Sequence, residues 1–114
     1  MKWLLVSASL VLAGCAVDVS KREAHALVAH GAVLLDVRTA EEYAEKHVDG
    51  AVNIPVNELE KRLGELPRDR QIVVYCHTGA RAGVATIILR KHGRNAHNAG
   101  AMSHWTTERA EFPE

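Results

Sequence analysis

The stretch QIVVYCHTGARAGVATIILRKHG, residues 71–93, decides the fold. Gln71–Tyr75 is a short, β-branched run that follows the turn residues Pro67–Arg70. That is the pattern of a strand covered on both faces. It leads into Cys76. After Gly79 the pattern becomes helical: Val84, Ile87, Ile88 and Leu89 cluster on one wide apolar face, and Gly93 supplies a stop. A strand, a tight loop and a helix form the unit from which parallel sheets are built.

The same alternation continues on either side. Val17–Val19 reads as a brief first strand, and Ser20 with Glu23 as a capping box opening a helix that ends at Gly31. Ala32–Val37 (AVLLDV) is a second buried strand, carrying Asp36 near its end. Thr39 with Glu42 caps a short helix to about Lys46, and Ala51–Ile54 is a strand stopped by Pro55. Asn57 with Glu60 opens a third helix, with Leu59, Leu63 and Leu66 on one face. Asn95–Asn98 is a last, weak strand, and Met102–Glu108 a final short helix. The expectation is an α/β domain with a mostly parallel sheet, whose active site lies beyond the carboxyl ends of the strands. Cys76 and Asp36 both stand at such ends.

Composition narrows the function. The chain has 114 residues, with Lys+Arg and Asp+Glu each counting 14 and aromatics only 4%. That is enough for one domain, and it carries neither the basic surplus nor the aromatic content of a nucleic-acid binder. The seven histidines have no pair two, three or four residues apart, so no metal site is expected. Arg90, Lys91 and Arg94 read as a solvated basic face.

The N-terminus is a separate object. Lys2 precedes an apolar run from Leu4 to Leu12, too short to span a bilayer and suited to a signal peptide. Leu12-Ala13-Gly14-Cys15 resembles the lipobox of bacterial lipoproteins. The resemblance implies a signal peptide over residues 1–14 and lipidation of Cys15. It further implies a lipidated tether over 15–19 and an anchor in the cell envelope outside the plasma membrane, on the periplasmic side. Ala16 is not the aspartate tied to inner-membrane retention, which points to the outer membrane in a diderm source. With Cys15 carrying lipid, Cys76 has no disulfide partner in the chain, and a lone thiol in an oxidising compartment must be buried or used.

The loop Cys76-His77-Thr78-Gly79-Ala80-Arg81 suggests a use. Backbone N–H groups converge in such a loop, the following helix adds partial positive charge, and Gly79 permits a left-handed backbone. Arg81 adds a cation, and a lone cation in a first helical turn is otherwise unfavourable. The expectation is a nucleophilic Cys76 that acts on an anion.

The segments LLDVRTAEEYAEKHVDGAVNIPV (34–56), VVYCHTGARAG (73–83) and NAGAMSHW (98–105) stand in the order of a known family. Through them the chain from about residue 17 to 108 resembles a single-domain rhodanese, with residues 17–114 as the rhodanese domain. The resemblance implies a parallel five-stranded sheet flanked by helices. It implies thiosulfate sulfurtransferase chemistry without organic cofactor or metal. In that chemistry Cys76 takes a sulfane sulfur as a persulfide and passes it to cyanide or a thiol. It makes Arg81 the residue that orients the anionic donor, and His77, Thr78, Gly79 and Ala80 the cradle. Asp36 and Arg38 become supporting residues, with Arg38 paired to Glu41 or Glu42. His47 and Gly50-Ala51 match an architectural turn, and Trp105 a packing anchor. Lys46, Ala82 and Ala101 depart from the usual glycine, serine and glycine. The alternatives are a persulfide carrier, a rhodanese-like binding module and, further off, a Cys-dependent phosphatase or arsenate reductase. Phosphatase loops place five residues between Cys and Arg, and here four intervene.

Overall fold

The structure, a computed structural model, describes residues 17–103 and 105. The signal peptide, Cys15 and most of the last expected helix lie outside the described residues. Met102, Ser103 and Trp105 are helical.

Ser20 caps α1 (Lys21–Ala29) through a reciprocal capping box: the Glu23 N–H donates to Ser20 Oγ at 3.0 Å, and the Ser20 N–H to Glu23 Oε1 at 2.9 Å. β1 (Val33–Asp36) follows, and then α2 (Ala40–Glu45), capped by Thr39 and Glu42 in the same way. β2 is Val52–Asn53, β3 is Ile72–Cys76, α3 is Ala80–Lys91, and β4 is Ala96–Ala101. The described sheet has four strands in the order β2-β1-β3-β4, all parallel.

Alternation along the strands sends side chains to two cores. Leu35, Ile72, Val74 and Cys76 meet Ala82, Ala85 and Leu89 of α3 on one face. Leu34, Val73 and Tyr75 meet Ala24 of α1 and Trp105 on the other. Every residue of β3 is buried. Trp105 stacks on His25 with ring centroids 3.9 Å apart, which fits a packing anchor.

Four expectations are corrected. Val17–Val19 is not a strand, so the described sheet has four strands and not five. The Asp18 N–H donates to the Asn98 carbonyl at 3.0 Å, and its carboxylate accepts from the Asn98 N–H and from Arg90, each at 2.8 Å. A side chain thus replaces much of the ladder at this edge. The third helix is two 3-10 turns, Val56–Glu58 and Glu60–Glu65, broken at Arg62 with φ −115° and ψ 17°. Leu59 and Leu66 still reach the core, because the tighter turns deliver them there.

The basic face is solvated at Arg90 and Lys91, which are exposed, but not at Arg94, which is buried. Arg90 donates to the Ala96 carbonyl at 2.9 Å as well as to Asp18, and buried Arg94 donates to the carbonyls of Leu63 and Leu66, each at 3.2 Å. Arg38 pairs with Asp36 and not with Glu41 or Glu42. Lys46, in place of a glycine, is extended at φ −168°, a conformation open to any residue.

Candidate active site

β3 is flanked by β1 and β4, so its last residue, Cys76, emerges at the middle of the sheet's carboxyl edge. β4 slips register opposite Val74 and Tyr75, which brings Ala101 level with Cys76. The Asn98 side chain steadies the slip by accepting the Gly100 N–H at 2.9 Å.

Beyond Cys76 the chain turns at once into α3. Gly79 is the N-cap, in the left-handed region at φ 101°, as the loop reading expects. A Cβ there would be strained by that φ and would stand 3.6 Å from Gly100 Cα. This curl aims two main-chain donors at one atom. The Gly79 N–H donates to Cys76 Sγ at 2.8 Å, and the Ala82 N–H at 3.2 Å. Both donors converge on the one sulfur atom. Ala82 acts here through its backbone, so the missing serine hydroxyl is not needed for this contact. Cys76 is buried and is the free cysteine among the described residues. His77, Thr78 and Ala80 are exposed around it. The Thr78 hydroxyl accepts weakly from the Ala80 N–H at 3.4 Å.

Asp36 lies level with Tyr75, one residue before the cysteine. Its carboxylate accepts Arg38 Nε at 3.0 Å and Nη2 at 2.7 Å, together with the Arg38 N–H at 2.9 Å. Arg38 also donates to the Lys46 carbonyl at 2.6 Å, tying down the end of α2. The bond to Asp36 raises the Arg38 pKa. Burial raises that of Tyr75, as does its bond to Asp36. The Tyr75 hydroxyl accepts from the Val48 N–H at 3.0 Å. Asp36 and Arg38 therefore brace the loops beside Cys76.

Arg81 does not stand free to meet a donor. Its Nη1 and Nη2 donate to Glu42 Oε1 and Oε2 at 2.9 and 3.2 Å. The guanidinium holds the Glu42 carboxyl at about 2, helped by the Thr39 backbone, and Glu42 in turn raises Arg81. Sequence reasoning found Glu42 as a helix cap and as a candidate partner of Arg38, not of Arg81. The available signal was that the first turn of α3 has no acidic residue, so any partner for Arg81 had to come from another element.

An apolar cavity of about 410 Å³ lies elsewhere, against α1. None of its lining residues belongs to the Cys76 loop.

The family described as the rhodanese-like domain matches residues 20–108. The thiosulfate sulfurtransferase PspE of Escherichia coli is 38% identical over 71 residues, covering 60% of this chain and 68% of that protein. The putative sulfur carrier protein YrkF of Bacillus subtilis is 43% identical over 60 residues. That match covers 53% of this chain but only 32% of the relative's length. The human single-domain sulfurtransferase TSTD1 superposes with a TM-score of 0.70 at 35% identity, over 82% of this chain and 97% of that one.

Proposed function

The chain belongs to the rhodanese-like family, and from that premise we propose that it is a sulfurtransferase working through a Cys76 persulfide. The observation that carries this reading is the pair of main-chain N–H groups on Cys76 Sγ, at 2.8 and 3.2 Å. The Cys76 thiolate attacks the outer sulfur of thiosulfate. The S–S bond of the donor breaks, and its electron pair leaves with sulfite. Cyanide or a thiolate then attacks the outer sulfur of the persulfide and displaces the Cys76 thiolate. Charge is conserved in each half, and the covalent intermediate makes the reaction ping-pong. The loop amides and the start of α3 offset the negative charge that stays on sulfur throughout.

Incubation with thiosulfate is expected to add the mass of one sulfur atom to Cys76, and cyanide to remove it as thiocyanate. An unmodified protein that hydrolyses a phosphate ester would instead establish phosphatase chemistry. A persulfide carrier is the second reading, favoured by the name of the Bacillus subtilis relative. It predicts stoichiometric loading but little turnover with cyanide.

The proposal extends to the envelope location. Cys15 carries lipid, and the domain sits at the membrane by that anchor. Cys15→Ser is expected to move the protein from the membrane fraction to the soluble one. Unchanged lipid labelling would overturn the anchor without touching the sulfur chemistry.

A further inference from the structure

Four charged side chains of the elements that meet at the Cys76 loop cancel in pairs. Arg38 is closed by Asp36 and Arg81 by Glu42, each through two guanidinium nitrogens. Two-pronged guanidinium–carboxylate contacts are the strong form of this interaction. The Glu42 charge is permanent over any assay range, since its carboxyl, held near 2 by Arg81, protonates only as the pH falls toward that value. The uncompensated positive potential at the sulfur then comes from loop amides and the N-terminus of α3, equivalent to roughly half an elementary charge. That suits one negative charge, the one already on the cysteine sulfur or its persulfide.

We propose that Glu42 is a positioning residue that sets donor specificity. By closing Arg81, it makes the site take sulfur from donors with a single negative charge, such as organic persulfide and thiosulfonate anions, in preference to the thiosulfate dianion. The inference rests on the sulfur-transfer reading. The step is the same for each donor: the Cys76 thiolate attacks the outer sulfur, the donor's S–S bond breaks, and the pair leaves with sulfite, sulfinate or thiolate.

Glu42→Gln is the informative change, because glutamine still completes a capping box with Thr39 while the charge is lost. The probes are thiosulfate and methanethiosulfonate, matched sulfane donors that differ by one charge. In the wild type, kcat/KM for methanethiosulfonate is expected to equal or exceed that for thiosulfate. Glu42→Gln is expected to lower KM about tenfold for thiosulfate and about threefold for methanethiosulfonate, because attraction to the freed cation scales with donor charge. kcat should change little. The thiosulfate gain should shrink as salt is raised.

The double variant Glu42→Gln/Arg81→Gln restores neutrality and should return the ratio of the two KM values toward the wild-type one. A ratio unchanged in Glu42→Gln, or shifted equally in both variants, would overturn the proposal and leave Glu42 a purely structural partner. Failure of both donors to load wild-type Cys76 would be a different result, because it removes the sulfur-transfer reading itself.

Discussion

Cys76→Ser is expected to lower sulfurtransferase turnover by on the order of 10⁴-fold or more, the scale seen when a covalent nucleophile is removed. The fold should survive. Serine is close to cysteine in size, and its hydroxyl can accept the same N–H groups of Gly79 and Ala82 that reach Cys76 Sγ. Thermal unfolding should therefore shift little, while the sulfur adduct disappears from the mass spectrum. A variant that keeps turnover would place the nucleophile elsewhere. One that loses both turnover and the folded state would leave the chemistry to be read from the adduct on wild-type Cys76 alone.

Asp36→Ala should strike stability instead. Arg38 has 5% of its side chain exposed and Asp36 none, and the pair shares several hydrogen bonds. Removing the carboxylate leaves a buried guanidinium with the Lys46 carbonyl, and the Arg38 N–H loses its acceptor. Breaking a buried pair from one side costs about 3–5 kcal/mol. Small domains hold about 5–15 kcal/mol in total. The expected drop in Tm is roughly 15 °C or more, measurable by circular dichroism. Replacing both partners by apolar residues of similar volume should recover much of the loss, since the pair's own net contribution is small. A Tm within a few degrees of wild type would show that Arg38 finds another acceptor.

The parallel sheet was legible because Ala32–Leu35 and Ile72–Tyr75 are continuous apolar runs, as strands covered on both faces must be. Both capping boxes were legible because their chemistry is local, spanning three residues. What could not be read depends on distance along the chain. Arg81 and Glu42 are 39 residues apart, and Asp18 and Asn98 are 80 apart. Nothing in local pattern says which carboxylate closes which guanidinium: Arg38 was matched to Glu41 or Glu42 although Asp36 stands two residues away, and Arg81 was given no carboxylate at all. The segment from Asn57 to Leu66 misled in another way. Its leucine spacing fits an α-helix, but with Gly64 inside and Pro67 just beyond, the chain settles into tighter turns that bury the same leucines.

The donors that hold Cys76 Sγ belong to the main chain. A site assembled from side chains is lost when any one of them mutates. Here His77, Thr78 and Ala80 point outward from a scaffold whose geometry rests on Gly79 lying against Gly100. The loop is therefore brittle in its backbone and permissive in its ornament. Inheritance can vary those three positions, and with them the molecules the protein meets, without rebuilding the reaction underneath.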